Sequence, residues 1–330
     1  MRKFLEPNGV FELKIPITWE YSLKNDKVHT FQDCEIWKSD TFQLSLIRLE
    51  TPEQETNVSS LLMASTKIND KDIIYHVLPE THRNDFSTKK WIRKFERTIV
   101  FFTLTYTTES NPELESLTIQ ERVEIVKAVI QSFKLIEDKK RESHIKSFRF
   151  ESFLQGVATT MYILNNSIEN KAFIETICIL ANQIDALLRT GIILKSQLIN
   201  RNNEIDTEWI YQGPDDRKKS EKDIYKKANE LGIINTSELT QLYNLFEHRN
   251  RVIHRFIISE ITYAEVEDIA YSYYQLQESI YKTIYDLESE QIKLGIGMTI
   301  QGTDEKNIPA TEIIKGKLGN LKYFEKLTNN

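Results

Sequence analysis

The run Arg249-Asn250-Arg251-Val252-Ile253-His254 places two guanidinium groups, an amide and an imidazole within six residues. An arginine presents a planar fork of donors that matches a phosphodiester, and an imidazole, with an unperturbed pKa of about 6.5, moves protons near neutral pH. Together they could grip a phosphate and carry a proton, chemistry that needs no metal and no other cofactor. On a helix of 3.6 residues per turn, Asn250 and His254 lie four apart on one face, and Arg251 joins them three before the histidine. Arg249 is five positions from His254 and points about 140° away. It can meet the imidazole only at a distorted helix end or across a two-fold seam, so the spacing points to a homodimer.

The segments around this run read as helices that could hold it. From Phe173 to Leu198, Ile177, Leu180, Ile184, Leu187, Leu188 and Leu194 mark a broad apolar face suited to a bundle core, interrupted by Gln183 and Asp185. Asp185 could reach the run and orient His254 or Arg249, but the expectation is a solvated surface carboxylate. After the run, Thr262 and Glu265 form a capping box. Val266, Ile269, Tyr273, Leu276, Ile280, Ile284 and Leu287 then recur at spacings of three and four. Tyr271, Tyr274, Tyr281 and Tyr285 fall outside that seam, where partial burial against neighbours is expected. Residues 199–223 turn polar, with Gln212-Gly213-Pro214-Asp215-Asp216 as a turn signal and Arg217, Lys218 and Lys219 as solvated charges.

Arg-Asn followed by three residues and His resembles the signature of the HEPN superfamily, helical domains many of which are metal-independent ribonucleases. The upstream text Ile224–Ile234, then Leu239 to Phe246, is similar to the helix and short helix that lead into the motif in such domains. The resemblance covers roughly residues 145–292. It implies that Arg249 and His254 act on the scissile phosphate with Asn250 in support. Some of these domains carry a tyrosine two residues after the histidine, which a partner nucleotidyltransferase modifies. Phe256 stands there in this chain and has no hydroxyl to modify.

The first half reads differently. Phe11, Leu13 and Ile15 alternate with polar neighbours, as do Phe42, Leu44 and Leu46, and both read as half-buried strands. The run Ile99 to Tyr106 is more continuously apolar, as a central strand covered on both faces would be. Thr118 and Glu121 form a capping box ahead of Val123, Val126, Ile130 and Phe133, so a helix is expected to pack on the sheet. The stretch Phe11 to Trp19, with His29-Thr30-Phe31 and Phe42 to Leu49, faintly resembles the Mog1/PsbP-like folds. His29, His76 and His82 are scattered and read as structural. Lys89, Lys90, Arg93, Lys94 and Arg97 surround Trp91 and Phe95, a pattern that could stack on RNA but is expected to be a strand with one side in the core.

The expected fold is therefore α+β in two domains. Residues 1–138 form an antiparallel sheet domain ending in a packing helix, with a sensing or interaction role. Residues 139–294 form an all-α, HEPN-like bundle, and 295–330 are a flexible or docking tail. The charged run Glu137 to Arg141 marks the boundary. A length of 330 residues accommodates two cores, and a net charge of −6 argues against a protein that coats nucleic acid by bulk charge, though a local basic patch remains compatible with RNA. The two cysteines, Cys34 and Cys178, show no ligand or disulfide spacing, which fits a reducing cytoplasm. No membrane segment or signal peptide is expected.

The expected function is a metal-independent endoribonuclease, a defence or stress effector, that leaves 2′,3′-cyclic phosphate ends. Arg249, Asn250 and His254 are its catalytic residues, and Arg251 and Arg255 contact the RNA substrate. A regulatory protein partner would bind the sheet domain. The alternatives are a catalytically silent HEPN-like scaffold and a sensor that holds a phosphate ligand without cleaving it.

Overall fold

The computed structural model describes residues 1–25, 27–33, 40–70, 73–83, 85–107, 118–211 and 219–301. Cys34, the turn at 212–216, Arg217, Lys218 and residues 302–330 lie outside the described residues. The fold is mixed α+β, antiparallel sheets first and helices after, and the chain divides into two compact units between Arg141 and Glu142.

Among the described residues the first unit contains ten strands: β1 (Arg2–Leu5), β2 (Phe11–Ile15), β3 (Trp19–Lys24), β4 (Val28–Asp33), β5 (Thr41–Arg48), β6 (Thr66–Asp70), β7 (Ile73–Arg83), β8 (Phe86–Phe95), β9 (Thr98–Thr107) and β10 (Lys134–Leu135). Two helices accompany them, α1 (Pro52–Met63) and α2 (Ile119–Ser132). Where a single sheet was expected there are two, because β10 follows α2 back to pair with β2 in a three-stranded sheet, β1-β2-β10. The other, in the order β3-β4-β5-β9-β8-β7-β6, has β9 at its centre. On β9, Val100, Phe102, Leu104 and Tyr106 are buried on one face and Ile99 on the other, while the remaining residues are only partly buried. The strand is thus not covered evenly on both faces, contrary to its near-continuous apolar text. Its main face packs on Val123, Val126, Ile130 and Phe133 of α2 and its C-terminus. The opposite face is covered at one end, where Leu49, Ile92 and Ile99 meet Val58, Leu61 and Leu62 of α1.

Helix α1 lies in a region that reads as all strand. Its start is nonetheless written locally: Thr51 accepts from the Gln54 amide, Gln54 reaches back, and Pro52 takes the first helical position. The expected capping box at Thr118 and Glu121 opens α2. Trp91 is a core residue, and Arg93 donates to the carbonyls of Ile130 and Phe133, so it closes the C-terminus of α2. The basic cluster on β8 is to that extent scaffold. His29 meets the Tyr21 hydroxyl through Nδ1, His76 meets Ser65, and His82 meets Ser87.

The second unit contains α3 (Arg141–Glu169), α4 (Phe173–Asn200), α5 (Glu221–Glu230), α6 (Thr236–Arg255) and α7 (Tyr263–Leu294). The charged run at 137–141 is the entry to α3, not an extended linker. By length and composition α4 is apolar enough to cross a membrane. However, 72% of its most apolar window is buried inside this unit, the place of a core helix. It packs chiefly on α7 and α5. The upstream "short helix" is absent as a separate element, since Leu239 to Phe246 and the motif run together in α6. Beyond α7, Gly295 closes the helix with a left-handed backbone and Met298 docks, its amide donating to Gln197. Tyr271, Tyr274, Tyr281 and Tyr285 lie outside the buried seam with 41–62% of their surface exposed.

The helix α2 is tied to the start of β5 by a buried ion pair, Arg122 Nη1 to both oxygens of Asp40 at 2.9 and 2.8 Å. Asp40→Ala strips a buried guanidinium of its paired carboxylate and is expected to cost about 3–5 kcal/mol, read by urea unfolding through Trp19 and Trp91 fluorescence. Asp40→Leu with Arg122→Met is expected to recover most of that loss.

Candidate functional site

The motif occupies the last two turns of α6. The backbone stays helical to Arg255, whose φ of −135° ends the helix, and a 3-10 turn, Phe256–Ile258, follows. The distortion therefore comes after His254, too late to swing Arg249 toward it. Val252 is the buried residue of the run. Arg251, His254 and Arg255 are exposed, as is His248. Among the described residues His254 has no hydrogen-bond or ion-pair partner. Arg249 and Asn250 are half-buried.

Arg249 points into a polar cluster that four helices share. Its Nη1 and Nη2 donate to the two oxygens of Glu221 on α5 at 2.6 and 2.8 Å, and Nη2 also donates to Asn250 Oδ1 at 3.3 Å. Its guanidinium lies 4.8 Å from the centre of the Phe246 ring. The Tyr225 hydroxyl, one helical turn beyond Glu221, donates to Glu221 Oε1 at 3.0 Å. Tyr273 enters from α7 with its side chain fully buried and its hydroxyl without a hydrogen-bond partner among the described residues. Cys178 on α4 also feels the Arg249 charge.

Burial works against the charge on Arg249, but the hydrogen bond and charge of Glu221 outweigh it and hold the guanidinium above its ordinary pKa. Burial raises the pKa of both the Tyr225 and Tyr273 phenols well above the ordinary tyrosine value, with the Glu221 charge reinforcing it at Tyr225 and the Arg249 charge opposing it at Tyr273. Burial also pushes the Cys178 thiol up, which disfavours the reactive thiolate.

Asp185 departs from the solvated carboxylate its sequence position suggests. It is partly buried, accepts from Arg189 Nε at 2.6 Å, and has one buried oxygen with no partner among the described residues. Burial raises its pKa despite Arg189, and both Glu221 and Arg249 act on it electrostatically. Sequence reasoning singled out Asp185 but left it outside the site. It missed Glu221 and Tyr273 altogether. Glu221 carried a signal only as an acidic residue in the first turn of a capped helix, and Tyr273 only as one member of an apolar seam.

A cavity of about 580 Å³ opens between α3 and α4, walled by Phe148, Phe153, Val157, Ile163, Ala186 and Ile210. None of the motif residues lines it. Within one chain, then, the structure joins Arg249 to Asn250, Glu221, Tyr225 and the field of Asp185, and leaves His254, Arg251 and Arg255 in solvent.

No protein-family model matches the chain, and no curated protein does. Solved structures offer weak likenesses that concern an N-terminal part. A protein from Bacteroides thetaiotaomicron VPI-5482 gives a TM-score of 0.31 at 12% identity, covering 55% of this chain and 78% of its own. Cyanobacterial PsbP (CyanoP) from Synechocystis sp. PCC 6803 gives 0.27 at 14% identity, covering 41% of this chain and 92% of its own.

The two tyrosines make opposite forecasts. Tyr225→Phe breaks a bond to a charged acceptor and is expected to lower stability by about 1.5–3 kcal/mol, whereas Tyr273→Phe removes an unsatisfied buried hydroxyl and is expected to leave stability unchanged or higher. Thermal unfolding of the two variants against the parent measures both.

Proposed function

We propose that the helical unit is a HEPN-type, metal-independent endoribonuclease domain that works as a homodimer. His254 exchanges protons with the RNA 2′-hydroxyl and the leaving oxygen. Arg249 stabilises the charge that builds on the phosphorane, and Asn250 holds Arg249 in place. Arg251 and Arg255, both exposed, contact flanking phosphates. The products carry 2′,3′-cyclic phosphate ends. The reading extends to a defence or stress effector whose sheet domain receives a regulatory protein.

The observation that carries this reading is the division of labour on α6: a guanidinium held by the amide next to it, and an imidazole on the same helix left in solvent with no partner among the described residues. A second copy of the motif facing the first supplies the missing approach, because the imidazole of one protomer can come near Arg249 of the other.

The Glu221 pair also favours a second reading. A bidentate bond between two partly buried side chains is what a silent scaffold would use to pin α5 to α6, with His254 doing no chemistry.

The two readings separate in one assay. Under the first, purified protein cleaves RNA in EDTA, and Arg249→Ala and His254→Ala each lower the rate by about 10²- to 10⁴-fold while keeping the thermal transition. Cleavage that survives in both variants excludes this mechanism. A folded dimer that never cleaves is the scaffold's result.

A further inference from the structure

Resting on the reading of Arg249 as a phosphate-binding group, we propose that Glu221 is an intramolecular stand-in for that phosphate, keeping the site closed until an RNA phosphate displaces it. A guanidinium has two edges with paired donors, one made by Nη1 and Nη2 and the other by Nε and Nη2. Glu221 takes the first edge with both oxygens, at 2.6 and 2.8 Å. Asn250 Oδ1 takes a donor of the second, from Nη2 at 3.3 Å. The N–H groups left over, one on Nε and one on Nη1, point to different sides. No fork remains for a second anion.

Carboxylate and phosphate want the same two-donor geometry, so they compete for it directly. Glu221 is well placed to compete. The Tyr225 hydroxyl orients its Oε1, and as the first residue of α5 it sits where the helix dipole favours negative charge. The neighbouring Lys222 bonds Glu247 on α6 at 3.1 Å, which ties the end of α5 that carries Glu221 to the motif helix. The pair is nevertheless open to exchange: the side chains of Glu221 and Arg249 keep 23% and 15% of their surface in solvent. The pair is therefore not sealed from water, as its displacement by a phosphate requires.

Glu221→Gln keeps the shape and removes the charge. With a fluorescein-labelled 2′-O-methyl RNA, which lacks the attacking hydroxyl, full-length Glu221→Gln is expected to bind about tenfold more tightly than the parent, the equivalent of about 1.4 kcal/mol. Tyr225→Phe keeps the carboxylate but frees it, and is expected to gain by a smaller factor. Glu221→Gln combined with Arg249→Ala is expected to bind no better than Arg249→Ala alone. Unchanged or weaker binding by Glu221→Gln with an intact thermal transition overturns the proposal; if that variant does not fold, unchanged or weaker binding by Tyr225→Phe does so. Cleavage of unmodified RNA in EDTA keeps this result apart from the nuclease reading. Tighter binding without any cleavage supports the Glu221 gate and removes the nuclease. Cleavage with no gain in Glu221→Gln removes the gate and leaves the nuclease.

Discussion

A guanidinium drawn partly out of water needs a fixed counter-charge, and in the helical unit that need is met across two helices by Arg249 and Glu221. The other features of the cluster follow from it. Tyr225 is a hydrogen-bond donor because a carboxylate oxygen lies one turn away, and Asn250 turns its oxygen toward Nη2. Asp185 is held partly protonation-prone by burial and by the Glu221 charge, with Arg189 opposing. A low local dielectric makes each of these groups felt by the others, so four helices are coupled through polar contacts as well as through their aliphatic core.

The sheet unit solves the same electrostatic problem with Arg122 and Asp40, both buried, and uses its other polar side chains for scaffolding. Arg93 closes a helix end, and the three histidines each meet a tyrosine or serine hydroxyl. Residue types that could do chemistry are thus taken up by local structural tasks. In the helical unit the imidazole of His254 stays in solvent, and among the described residues buried oxygens of Tyr273, Asp185, Gln183 and Ser259 have no hydrogen-bond partner. Two of these oxygens, on Asp185 and Tyr273, lie within the electrostatic reach of the Arg249–Glu221 pair.

Elements whose signals are local were readable in advance. The boxes at Thr118 and Thr262 open α2 and α7, alternation marks β2 and β5, and the apolar face of α4 is the face that is buried. Helix α1 was hard to read by periodicity because its apolar stripe is a single turn, Val58, Leu61 and Leu62, that is only partly buried. The continuity of α6 was hidden too, since its motif half has few buried positions and reads as a separate polar segment.

The sequence by itself determined which residues could bind phosphate and move a proton, and that a helix carrying them would set Arg249 and His254 apart; both follow from side-chain chemistry and the pitch of a helix. Only the tertiary structure decided that Arg249 is occupied by Glu221, that Asp185 is drawn out of solvent, and that Tyr273 brings a buried hydroxyl to the same place. Those pairings join residues 28 or more positions from Arg249 or on other helices, and no local periodicity encodes which faces of α4, α5, α6 and α7 will meet.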